Sequence, residues 1–145
     1  MILVDTSVLV YAVGDDHALR TPCRQLVQLV ADSTVSATTT VEAIQEFVHV
    51  RTRRRSRPDA VALGRAYATL FAPLTQPGAA DLAEGLELFE ATPGLGAFDA
   101  VLAATAARVA DGVLVSTDGA FRSVDALRVL DPADAVFIDD LRAVG

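Results

Sequence analysis

The chain contains no lysine, no asparagine and no tryptophan, and it has a single cysteine, Cys23. All twelve of its basic residues are arginine. Without lysine there is no Walker-type phosphate loop and no Schiff-base nucleophile. A lone cysteine can form neither an internal disulfide nor a cysteine-rich metal site, and it fits a reducing compartment. The apolar opening MILVDTSVLVYAVG lacks the basic leader of a signal peptide and carries Asp5 inside the run. The longest charge-free run, Ala66 to Ala80, is broken by Pro73, Pro77 and Gly78 and is too short to span a bilayer. These absences point to a cytoplasmic protein. Positive charge is also scarce, the net charge being −7. That argues against non-specific grip on nucleic acid by phosphate neutralisation. It does not argue against a nuclease whose metal ions bring their own charge.

What is present is apolar: 52% of the 145 residues are hydrophobic. This suits one folded domain, residues 1–145, with a sizeable core. Ile2-Leu3-Val4 reads as a buried strand ending in the polar turn Asp5-Thr6-Ser7. A short helix follows over Val8 to Val13, and helical periodicity runs over residues 17–31. Thr34 to Ala37 reads as a second strand. A long helix is expected from Thr39 to Arg55, capped by Thr38 or Thr39. Pro58 starts the next helix, which runs to Phe71. Pro73 to Thr75 suggests a minor strand, and Ala79 to Ala91 another helix. After the loop Thr92 to Gly96 comes a helix over Ala97 to Ala110, with Gly112 at its C-terminal cap. Val113 to Ser116 and Arg128 to Leu130 are the remaining strands. Asp131-Pro132 resembles an N-cap and N1 pair opening a last helix. Short apolar strands alternating with helices imply an α/β domain with a parallel sheet.

In such sheets functional groups gather at the carboxyl ends of strands. Asp5 and Asp118 each follow a strand directly. Asp99 lies in the first turn of the helix before Val113 to Ser116. Glu46 lies on the long helix, roughly 40° from Val50 at 100° per residue, on the border of the apolar arc. Glu42, one turn earlier, falls further into the polar face, so Glu46 is preferred. Two carboxylates about 4 Å apart repel by roughly 4 kcal/mol at an effective dielectric near 20. A converging set must take up protons or bind a cation. Carboxylates with water suit the hard ions magnesium and manganese. Such ions can turn water into a nucleophile and steady the charge of a phosphoryl group, which points to phosphodiester hydrolysis.

These segments resemble the motifs of the PIN-domain family, in particular the toxin nucleases of VapBC toxin–antitoxin modules. Ile2-Leu3-Val4-Asp5-Thr6-Ser7 is similar to the first motif and Gln45-Glu46-Phe47 to the second. Phe98-Asp99-Ala100 with Leu102-Ala103-Ala104 is similar to the third. Val113-Leu114-Val115-Ser116-Thr117-Asp118, with Phe121 beyond, is similar to the fourth. The resemblance implies a three-layer fold with a central parallel sheet of four to five strands flanked by helices. It implies an endoribonuclease dependent on Mg2+ or Mn2+, leaving a 5′-phosphate and a 3′-hydroxyl. By the same carry-over Asp5, Glu46, Asp99 and Asp118 are the catalytic, metal-binding acids. Ser7 orients Asp5, and the Ser116 hydroxyl supports the site. The family also implies an RNA substrate, a cognate VapB-type antitoxin and a homodimer. Where further acidic residues sometimes occur in the fourth region, this chain has Thr117 and Gly119.

Arg51, Arg53, Arg54, Arg55 and Arg57 crowd the end of the long helix. They read as an RNA or antitoxin contact, or as a solvated helix end complementing the dipole. His17 and His49 read as surface residues rather than catalytic bases. The aliphatic faces of the first two helices suit a dimer interface or the core equally. A maturation nuclease without an antitoxin, and a PIN-fold binding module, stand as alternatives. A haloacid-dehalogenase-type phosphatase would need an acid two positions after Asp5, where Ser7 stands. A phosphorelay receiver would need a lysine.

Overall fold

In the computed structural model, which describes residues 1–144, a four-stranded parallel sheet lies between two layers of helices. The order is β1 (Ile2–Val4), α1 (Thr6–Ala12), α2 (Arg20–Ala31), β2 (Ala37–Thr38), α3 (Val41–Thr52), α4 (Arg57–Leu70), α5 (Ala79–Ala91), α6 (Ala97–Val109), β3 (Val113–Val115), β4 (Arg128–Leu130) and α7 (Phe137–Val144). A 3-10 turn, Gly119–Ser123, stands between β3 and β4.

The strands lie in the order β2-β1-β3-β4. Leu3 pairs with Thr38 on one side and Leu114 on the other, in parallel register. The chain leaves β1 toward β2 and later enters β3 on the opposite side. That reversal opens a crevice beyond the carboxyl ends of β1 and β3. All three residues of β1 are fully buried, as expected of a central parallel strand covered on both faces. Ile2 and Val4 face one core with Val8, Leu9, Leu26, Phe47, Tyr67 and Phe71. Leu3 faces the other with Leu114, Ala100, Ala103 and Phe121. This alternation is the period of two of a pleated strand.

Several expected boundaries move, each for a hydrogen-bonding reason. The second strand is shifted, since of Thr34 to Ala37 only Ala37 belongs to β2, which runs on to Thr38. The Thr34 and Val35 N–H groups donate to the Leu29 carbonyl at 2.9 and 3.2 Å, closing α2, so pairing begins only at Ala37. Neither Thr38 nor Thr39 caps α3. The Thr38 hydroxyl donates to the Pro73 carbonyl (2.9 Å) and that of Thr39 to the Val4 carbonyl (2.7 Å). Thr40 is the cap, its Oγ accepting from the Ala43 N–H at 3.0 Å. At the other end α3 stops at Thr52, short of Arg55, because Ser56 caps α4. Pro73 to Thr75 contributes one bridge, Thr75 to Thr40, rather than a strand. Asp131-Pro132 does not open α7. The Asp131 carboxylate accepts the Ala133 N–H at 2.8 Å and closes a turn, and the helix begins at Phe137.

The apolar faces of α1 and α2 belong to the core, through Val8, Leu9, Cys23, Leu26 and Val30. Gly112 ends the α6 region with φ +77°, and a Cβ there would stand 2.3 Å from the Ala126 carbonyl oxygen. Only glycine fits both demands. Among the described residues no helix is long and apolar enough to cross a membrane.

Candidate metal centre

Asp5 follows β1, and its backbone N–H donates to the Val115 carbonyl at 3.0 Å, which ties it to the end of β3. It occupies the N-cap position of α1, yet its carboxylate does not cap the helix. Instead Oδ2 accepts from Ser7 Oγ (2.6 Å) and Ser116 Oγ (2.8 Å). Asp5 is only 7% exposed. Burial raises its pKa, and the Ser7 and Ser116 hydroxyls oppose that rise.

Ser7 and Ser116 also join the strand ends. Ser7 Oγ accepts the Thr117 N–H at 3.2 Å, and Ser116 Oγ accepts the Asp118 N–H at 3.0 Å. Asp118 spends Oδ1 on the Ala120 N–H (2.9 Å), starting the 3-10 turn. Glu46 reaches over from α3, where its Oε2 accepts from Thr6 Oγ1 at 2.8 Å. Asp99 stands in the first turn of α6, beside the N-cap Gly96.

Asp5, Glu46, Asp99 and Asp118 line one cleft of about 540 Å³. Glu42 is not among its walls. The Asp99 carboxyl is pushed up to about 6, first by burial and then by the charges of Asp5, Asp118 and Glu46. Among the described residues no arginine forms an ion pair with these four acids. The arginine ion pairs of the described residues go to Asp15, Asp59, Asp81, Asp131, Asp134, Asp139 and Asp140. The four acids share a wall rather than a point: among the described residues, no three His, Cys, Asp or Glu side chains are placed so as to hold a metal ion together. In chemistry, if not yet in placement, these hard oxygen donors without an arginine partner suit a hard divalent cation.

The arginine cluster divides. Arg51 is not at the cleft: its guanidinium forks onto Asp59 at 2.6 and 3.3 Å and donates to the Val13 carbonyl at 2.9 Å. That pair holds the Asp59 carboxyl below its usual value and joins α3 to α4. Arg55 pairs with Asp15 at 2.8 Å. Arg53 is exposed, and Arg54 lines the cleft with the acids. His49 is exposed on α3. His17 is exposed too, but it stands on the cleft wall with Tyr11 and Thr6. From the sequence, Thr6 and Tyr11 had no role, and His17 was placed on the surface, where it is, without being set at the cleft. Thr6 offered one signal, its place directly after the strand-end acid. Tyr11 and His17 offered none, because their meeting depends on the path of the loop between α1 and α2.

This parallel sheet, with acids beyond the ends of its two central strands, is the arrangement of the PIN domain, whose family model matches residues 2–127. The chain belongs to that family. It is 53% identical over 135 residues to Ribonuclease VapC7 of Mycobacterium tuberculosis, covering 92% of this chain and 93% of that protein. It is 40% identical over 102 residues to Ribonuclease VapC23 of the same organism, covering 68% of this chain and 78% of that protein.

Proposed function

We propose that the chain is an endoribonuclease dependent on Mg2+ or Mn2+, that it is the toxin of a toxin–antitoxin pair, and that it acts at the acidic cleft. The observation that carries this reading is the meeting, on one cleft wall, of four carboxylates from distant parts of the chain, none paired with arginine among the described residues. The names of the two ribonuclease relatives support it.

Asp5, Glu46, Asp99 and Asp118 would hold the metal. Once bound, it would supply positive charge at the scissile phosphoryl group and lower the pKa of attacking water. The chain's own groups prepare the site. Ser7 and Ser116 fix Asp5 in one orientation from two sides. Thr6 fixes Glu46. Asp99, at about 6, is a carboxyl that gives up its proton just below neutral pH. Arg54 offers a cation to the phosphates of a strand lying in the cleft.

The partner proposed is a VapB-type antitoxin. A homodimer belongs to the same reading, though the aliphatic faces of α1 and α2 are taken up by the core. The test compares wild type with Asp5→Asn on RNA, with and without Mg2+ or Mn2+. The variant is expected to fold and not to cut. Equal cleavage by both proteins, or full activity in chelator, would overturn the reading.

A further inference from the structure

Tyr11 lies at the end of α1, and His17 lies in the loop that follows. Their rings lie tilted against each other, with centroids 4.7 Å apart and planes 32° from parallel, within the range of favourable aromatic pairs. Both residues line the cleft that holds the four acids. Tyr11 is half-buried and packs on the core, whereas His17 is exposed. So one side of the imidazole rests on an anchored ring while much of the residue stays open to the cleft.

The imidazole is also held in place. Its Nδ1 accepts the Leu19 N–H at 3.1 Å, and the His17 carbonyl accepts the Arg20 N–H at 3.0 Å. With Nδ1 as acceptor, the neutral ring carries its proton on Nε2. A positioned, outward-facing aromatic is not what core packing requires.

The charge around the pair limits what can rest there. Asp15 and Asp16 line the same wall beside His17. Arg55 pairs with Asp15 and Arg54 is the one arginine on this wall, so cations for phosphates are few here and a base face is a further point of contact for a strand. Stacking on aromatic side chains is a sequence-tolerant source of affinity. In a chain of net charge −7 it also supplies binding that phosphate neutralisation does not. A duplex hides its base faces, whereas an unpaired strand can turn one outward.

We infer that the Tyr11–His17 pair is a stacking platform for an unpaired base in the cleft, the place where a single strand is held by a base rather than by its phosphates. This inference rests on the nuclease reading above, and its test separates the two.

Cleavage of an unstructured RNA oligonucleotide, and of the same strand annealed in a duplex, is measured with Mn2+ for wild type, His17→Ala, His17→Phe and Asp5→Asn. Binding is followed in parallel by quenching of 2-aminopurine placed in the single strand. Circular dichroism checks that each variant is folded. His17→Ala is expected to raise KM on the single strand about tenfold, equivalent to about 1.4 kcal/mol, with kcat within about twofold. It should also lose the quench and most of the preference over duplex. His17→Phe should restore all three, because it keeps a ring face without the imidazole nitrogens. Unchanged KM and quench in His17→Ala would overturn the platform. So would a defect that Phe leaves unrescued, which would assign the imidazole to hydrogen bonding or proton transfer. If wild type cuts and Asp5→Asn does not, either result removes the platform and leaves the nuclease standing. If wild type cuts no better than Asp5→Asn, the nuclease reading fails and this inference falls with it.

Discussion

Ser116 Oγ has two partners at once, donating to Asp5 Oδ2 and accepting the Asp118 N–H. Ser116→Ala removes both bonds at a fully buried position. It should cost roughly 1–3 kcal/mol in urea unfolding and lower Mn2+ affinity about tenfold or more by calorimetric titration. Asp99 gives a pH signature. Its folded value of about 6 lies above its ordinary 3.8, so the native state binds the extra proton. The resulting stability is complete below 3.8 and is lost as pH rises through about 6. In chelator the melting temperature should therefore fall across that window, and Asp99→Asn should flatten the fall. Mn2+ should raise the melting temperature most above pH 6. A metal-free profile identical in wild type and Asp99→Asn would contradict the assignment. The four acids were legible as a set from their places after strands and on helix borders. The hydroxyl of Thr6 on Glu46 was not, because its partner lies 40 residues away and no periodicity links them.

Helices were easier to read than strands. The bounds of α5 follow from Pro77-Gly78 before it and Pro93-Gly94 after it. The three-residue β4 was legible because Arg128 to Leu130 is bounded by turn-forming residues. β2 was not, because an apolar run cannot say which of its residues will close the preceding helix. The arginine cluster teaches the same lesson at a helix end. Arg51 lay in a run suited to RNA, but its side chain is 15% exposed and engaged with Asp59. Arg51→Ala should lower stability by roughly 1–3 kcal/mol in denaturant titrations while sparing RNA cleavage by the folded fraction. The packing of α5 on α6 depends on Gly85, whose Cβ would come within 2.8 Å of the Val101 Cα. Gly85→Ala must separate the two helices and should cost about 1–3 kcal/mol or more by the same measurement. It should also weaken cleavage, since Asp99 sits half a turn before Val101 on α6.

At the scale of the whole molecule, composition set the terms well. An acidic chain without lysine and with only Arg54 of its arginine cluster on the cleft wall has little to offer phosphates directly. RNA binding at fixed Mn2+ should therefore weaken only gently with added KCl. One protein cation on a single strand corresponds to a log–log slope of about −0.7. A slope several times steeper would reveal a wider basic surface. The α/β class and its parallel sheet were legible because strands and helices alternate, while the three layers were implied by the family resemblance. What composition cannot convey is the path of the loop that sets His17 against Tyr11.

The walls of the cleft are drawn from residue 5 through residue 118. During translation the first carboxylate leaves the ribosome almost at once, while the last waits for most of the message to be read. A polypeptide abandoned partway, by a stalled ribosome or a broken transcript, holds some of the acids and cannot assemble the centre.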